Sequence, residues 1–162
     1  MAILSAVLVV GGIVFFQFIY PALGIGPAQP IPFSHRLHVT VKEIDCRFCH
    51  STVAQANAAG LPPVQKCLFC HTYVIPNHPK IKRLTSLAER GQPVAWRKVT
   101  WLPDFVHFSH QAHIRKGIEC VACHGHVETM DRVKQVHPLN MGFCLKCHRE
   151  RQASVDCLTC HY

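Results

Sequence analysis

The sequence has no cysteine outside a single motif. All ten cysteines fall in five copies of Cys-x-x-Cys-His: Cys46–His50, Cys67–His71, Cys120–His124, Cys144–His148 and Cys157–His161. With no thiol left over, a disulfide framework or zinc sites built on CxxC pairs would have to use these same residues. Neither needs a histidine directly after the second cysteine, and here one follows all five times. The pattern is that of covalent c-type haem attachment. Its two thiols form thioethers to the haem, and its histidine is the proximal iron ligand. Also missing is the CxxCK variant, which leaves no marked catalytic haem. Acidic residues are scarce, 9 against 17 Lys and Arg, for a formal charge of +8. That excess invites a nucleic-acid reading. The propionates of five haems would bring about ten negative charges, so the basic residues read as propionate partners and solvated surface and no nucleic-acid partner is expected. Arg47, Lys146, Arg149 and Arg151 lie close enough to motifs for that role.

Length is short as well. The chain has 162 residues, too few to surround five porphyrins with an ordinary side-chain core. The expected fold is a multihaem cytochrome c, mostly irregular backbone with short α-helices packed around five covalently attached haem c groups. An N-terminal transmembrane helix is expected in addition. Removing haem should leave an unfolded chain.

Charge is absent from Ala2 to Tyr20, an apolar run broken only by Ser5 and Gln17. Nineteen helical residues would span about 28 Å, close to a bilayer core. Phe15, Phe16, Phe18 and Tyr20 resemble an interfacial belt, and Pro21 is a stop. No basic segment precedes the run and no clean A-x-A site follows, so it reads as a retained anchor rather than a cleaved signal. Every Lys and Arg lies after residue 35, which by itself would keep the bulk of the chain in the cytoplasm. Long domains translocate regardless of charge, and c-type haem is attached outside the cytoplasmic membrane. The expectation is therefore a single-pass anchor in the cytoplasmic membrane with the haem domain on the periplasmic side.

The remaining chain divides into units. Residues 1–21 form the anchor and 22–32, rich in Gly and Pro, a tether. Residues 33–78 carry two motifs, 79–107 form a linker, and 108–162 carry three. The segment FSHRLH at 33–38 recurs as FSHQAH at 108–113, each followed by a motif at nearly the same offset, which marks an internal duplication. In the linker, Pro79 can open a helix at its first position. Ile81, Leu84 and Leu87 then share a face, and Gly91 is a natural stop. Trp96 and Trp101 read as packing residues.

Five proximal histidines, His50, His71, His124, His148 and His161, leave eight others. The paired histidines of the repeat, His35 with His38 and His110 with His113, are the best distal ligands. Three residues apart on a helix, they share a face and can reach different irons. The fifth position falls to Met141 or to His137; a Met thioether would raise that haem's potential. His78, His107 and His126 read as non-ligands.

The F-x-H-x-x-H unit followed by CxxCH resembles the class III multihaem cytochromes of the c3 and c7 group. There the two histidines serve different haems, which implies that His35 and His38 do so here, as do His110 and His113. Over nearly its whole length the chain resembles the pentahaem subunit of alternative complex III. QPIPFSH at 29–35, PVAWRKVTWLPDFVHFSH at 93–110 and NMGFCLKCHRE at 140–150 carry that likeness. The resemblance implies mixed ligation, which favours Met141. It also implies a membrane respiratory or photosynthetic complex with an iron–sulfur subunit and integral membrane subunits. Such a complex oxidises quinol and feeds a small copper protein, a cytochrome c or an adjoining oxidase.

The leading reading is an electron-transfer subunit, a haem wire that is no enzyme on its own. The alternative is a small multihaem reductase with one open-coordination haem. A self-sufficient anchored quinol dehydrogenase fits less well, because those place a motif directly after the anchor and here about 25 residues intervene.

Overall fold

The computed structural model describes residues 2–19 and 25–162, with backbone only at residues 2, 3, 18 and 19. Among the described residues all regular structure is helical, in short pieces joined by irregular backbone. We label the α-helices α1 (Ala2–Val14), α2 (Cys46–Cys49), α3 (Val64–His71), α4 (Pro79–Glu89), α5 (His110–Arg115), α6 (Val121–His124) and α7 (Met141–Glu150). Phe15–Ile19 and Arg36–Val41 are wound as π-helix, and Val127–Thr129 and Cys157–Thr159 as 3-10 turns. The expected mixture of short helices and irregular chain is what forms.

The anchor is a correction. Among the described residues no helix is long and apolar enough to cross a membrane. The α-helical winding stops at Val14. Thirteen residues extend about 20 Å, against about 30 Å of bilayer hydrocarbon. The Tyr20 end of the aromatic belt, the Pro21 stop and the start of the tether lie outside the described residues. The single-pass N-terminal helix is thus not supported, nor is the placement at a cytoplasmic membrane, periplasmic side, that rested on it.

Among the described residues one apolar cluster forms, where α3 meets α4. Val64, Ile81 and Leu84 are buried there with Ile31 and Val94, and Leu68, Leu87, Ala88 and Trp96 pack around them. The helical period of α4 puts Ile81, Leu84 and Leu87 on one stripe. Its start is set by Pro79, with His78 as cap accepting from the Lys80 amide at 3.2 Å. Its end is set by Gly91, whose φ of 62° belongs to the left-handed region. The cluster thus takes Ile31 from the tether and Val94 from the linker.

The two copies of the duplicated unit dock crosswise. In the first, the Arg36 amide bonds the Met130 carbonyl at 3.1 Å and Thr40 bonds the Glu128 carbonyl at 2.5 Å. Ser34 and Arg36 both hold Asp131, at 2.5 and 2.9 Å. Those partners follow the third motif. In the second copy, the His110 amide bonds the Asn57 carbonyl at 3.0 Å and the Gln111 amide bonds Ala56 at 3.2 Å, just after the first motif. Each opening unit therefore lies against the loop that leaves the other copy's first motif.

The polypeptide exposes 11,980 Å². A compact protein of 18.2 kDa exposes about 8,100 Å². By itself the chain thus exposes far more surface than a compact protein of its size.

Candidate functional site

Each CxxCH motif is wound as a helical turn. The turns lie in α2, at the end of α3, in α6, in α7 and in the 3-10 turn at Cys157–Thr159. A helical turn brings positions i, i+3 and i+4 to one face, so both thiols and the histidine point the same way. The His50, His124 and His161 amides close the turn onto Cys46, Cys120 and Cys157 carbonyls at 2.9, 3.0 and 3.0 Å. Polar caps start several of the turns. Asp45, Asn140 and Asp156 accept from the amides of Arg47, Phe143 and Leu158 at 2.7, 2.9 and 2.9 Å.

The histidines meet across the chain in pairs. Ring centres are 6.1 Å apart for His38 and His71, 6.3 Å for His110 and His124, and 6.0 Å for His113 and His148. Two imidazoles bound at about 2 Å on opposite sides of one metal ion have ring centres about 6 Å apart. The His110 and His124 rings are parallel to within 2°. His35 neighbours His50. Burial first, then His50 and His38, lower its pKa to about 4. His124 is lowered by burial, then by His110 and His50. Both imidazoles are therefore neutral near pH 7, the form that binds a metal.

Backbone hydrogen bonds set the tautomers. Nδ1 of His38, His50, His71, His110, His113, His148 and His161 lies 2.6–3.0 Å from a backbone carbonyl, of Ser34, Gly60, Val74, Asn57, Ser109, Ser154 and Phe105 respectively. A carbonyl only accepts, so Nδ1 carries the proton and Nε2 keeps its lone pair for a metal. Gly60 has a φ of 74°, and a Cβ there would meet Thr52 Oγ1 at 2.5 Å. A glycine is needed where that carbonyl turns towards His50. His124 makes no such carbonyl bond, and the buried Nδ1 of His35 has no hydrogen-bond partner at all.

The other histidines behave differently. His78 Nδ1 accepts an amide, so it carries no proton. His126 pairs with Glu128 at 2.7 Å. His107 stacks on Tyr162, 4.4 Å between centres. Of the two candidates for the fifth position, His137 stacks on Phe143 at 5.3 Å, and Met141 stands at the start of α7 with 66% of its surface exposed. The ring of His161 lies 5.6 Å from that of Phe105. The carbonyls that orient the rings have no side-chain signature. Only Ser34 and Ser109, repeated in FSH, could have been singled out in advance.

The ten thiols are free of disulfides. Burial raises the pKa of Cys46, Cys49, Cys67, Cys123 and Cys144, and neighbouring thiols add to it. Those neighbours are Cys120 beside Cys46, Cys70 beside Cys49, Cys49 beside Cys67, Cys147 and Cys144 beside Cys123, and Cys160 beside Cys144. Among the described residues no three His, Cys, Asp or Glu converge as a zinc cage requires. Paired thiols, imidazoles in opposed pairs and a chain with little core of its own are the donor set that haem c takes.

Two curated proteins of Nitratidesulfovibrio vulgaris are similar to this chain. One is a menaquinone reductase, multiheme cytochrome c subunit, 29% identical over 160 aligned positions covering 82% of this chain and 76% of that protein. The other is a high-molecular-weight cytochrome c, 27% identical over 152 positions. That match takes in 75% of this chain but only 27% of the relative. No protein-family model matches the chain. The two likenesses support a multihaem c-type cytochrome; they do not single out alternative complex III.

Proposed function

We propose that the chain is the electron-transfer subunit of a quinone-linked oxidoreductase complex and does no bond-making chemistry alone. The observation that carries this is the set of opposed histidines, His38 with His71, His110 with His124 and His113 with His148, each pair at the spacing of two axial ligands. Cys46, Cys49, Cys67, Cys70, Cys120, Cys123, Cys144, Cys147, Cys157 and Cys160 would attach five haems. His50, His71, His124, His148 and His161 would hold them on the proximal side. His35, His38, His110 and His113 would take four distal positions, with Met141 the fifth. Bound haem c supplies one-electron redox chemistry. The chain's part is to orient seven of the ten axial donors through backbone carbonyls and to set each potential by ligand, burial and hydrogen bonding.

The similarity to a menaquinone reductase subunit supports the quinone link. The finer reading is that of alternative complex III. There, quinol is oxidised elsewhere in the complex, by subunits that include an iron–sulfur protein and integral membrane chains. The electrons leave to a small copper protein, a cytochrome c or an oxidase. Nothing in the ring pairs favours one direction of flow over the other, so direction would follow from the partners' potentials.

The test is a pyridine haemochrome assay with low-temperature electron paramagnetic resonance on the haem-loaded protein. Five haems per chain, all low-spin, are expected. Met141→Leu should shift one signal and one potential only. Fewer haems would sink the stoichiometry. A high-spin iron in the unmodified protein that reduces nitrite would replace the carrier reading with a catalytic one.

A further inference from the structure

We infer that the five motifs stand in single file in an order that differs from the sequence. Cys67–His71 is at one end, followed by Cys46–His50, Cys120–His124, Cys144–His148 and Cys157–His161. The inference rests on the electron-carrier reading above and adds to it the path and its two ends.

The first link joins the second motif to the first. His38 faces His71 at 6.1 Å, while His35, three residues earlier, neighbours His50. Phe48 inside the first motif meets Phe69 inside the second at 6.3 Å, and Lys66 Nζ sits 4.7 Å over the Phe48 ring.

The second link is the seam of the duplication, where the first motif meets the third. Asn57, seven residues past His50, takes both the His110 amide at 3.0 Å and His110 Nδ1 at 2.8 Å. His110 in turn faces His124 at 6.3 Å. Cys46 and Cys120, and likewise His50 and His124, also lie within electrostatic reach of each other across this seam.

The third link repeats the first. His110 faces His124 and His113 faces His148, so one short helix bridges the third and fourth motifs. The fourth link is local. Ser154, whose carbonyl orients His148, bonds Thr159 inside the fifth motif through its hydroxyl at 2.8 Å.

Exposure identifies the ends independently. Between the cysteines, Phe69 in the second motif is 73% exposed, although Leu68 beside it packs against the apolar cluster, and Leu158 in the fifth is 72% exposed. Phe48 in the first is 39% exposed and Val121 in the third 38%. Partners that exchange electrons with this chain should therefore meet it at Phe69 and Leu158, and the third motif is the midpoint every electron passes.

The experiment is anomalous scattering at the iron edge from crystals of the haem-loaded full chain or its complex, each iron assigned by the cysteines that hold its haem. Five peaks in single file, with Cys120–His124 in the middle and Cys67–His71 and Cys157–His161 at the ends, are expected. Five peaks in sequence order, or a branched arrangement, would overturn this inference and leave the electron-carrier reading standing. Fewer than five peaks would overturn the five-haem reading itself.

Discussion

The two halves of the molecule carry the same chemical unit on different foundations. In both, the Phe of FSH packs edge-on to the first histidine and near-parallel to the second. Centres are 4.9 and 4.3 Å apart for Phe33 and 4.8 and 4.5 Å for Phe108. In both, the serine carbonyl takes Nδ1 of the second histidine at 2.8 Å. Yet the buried apolar side chains, Ile31, Val53, Val64, Ile81, Leu84 and Val94, all precede residue 95. The second half has three motifs in 108–162 and no buried hydrophobic among the described residues. The geometry of the paired histidines is thus independent of a side-chain core. Where motifs are dense, attachment must replace the core as the source of stability.

The largest effect should come from withholding haem. Ligand binding to a site absent in the unfolded chain is folding free energy, on the order of 10 kcal/mol for one structural metal. Without maturation, amides in 108–162 should exchange at unfolded rates. Those of α3 and α4 should keep the most protection, since their cluster is made of side chains. Equal protection in the two halves would erase the contrast. A smaller effect should follow from Leu84→Ala in the haem-loaded protein. A buried leucine truncated to alanine costs about 2–5 kcal/mol, and local hydrogen exchange should place the loss in α3, α4 and their neighbours alone.

How far the sequence made this visible follows from what each feature is made of. The Cys-x-x-Cys-His turns were legible because their two cysteines and a histidine recur at a fixed helical spacing. Helix α4 was legible because Pro79, the Ile81–Leu84–Leu87 stripe and Gly91 are side-chain signals for its start, face and end. The crosswise docking was not, because it runs through the carbonyls of Asn57, Ala56 and Met130, which any residue could supply. The expected anchor failed for a related reason. Hydropathy counts apolar residues, but where α-helical winding gives way, here to π-helix after Val14, is a backbone property.

The duplicated histidines sharpen the contrast further. His35→Ala and His110→Ala should each convert one low-spin iron to high-spin. Only His110 also donates Nδ1–H to Asn57 across the seam. Losing that bond should cost about 0.5–1.5 kcal/mol more. His35, whose Nδ1 has no partner, has no such bond to lose. Denaturant unfolding of the two haem-loaded variants side by side reads the difference, and equal losses would show that the seam does not depend on the ring.

The smallest effect belongs to Asp131, which clamps the first unit and has no counterpart on the second. The Ser34 hydroxyl and then the Arg36 guanidinium hold its carboxyl below the usual carboxylate range. A depressed acid stabilises the fold above its ordinary pKa and loses that contribution as pH falls through the lower folded value. At neutral pH the clamp is fully present, and it should fail only in strong acid. Both side chains of the ion pair are solvated, so salt should weaken it at any pH. Asp131→Ala should therefore speed exchange at the Arg36 amide, which bonds Met130, by roughly a few-fold at low salt. The gap from the parent protein should close at high salt. The amides of His110 and Gln111, in the unit without the clamp, should not respond. A response there would mean that the two crosswise dockings form one cooperative seam rather than two.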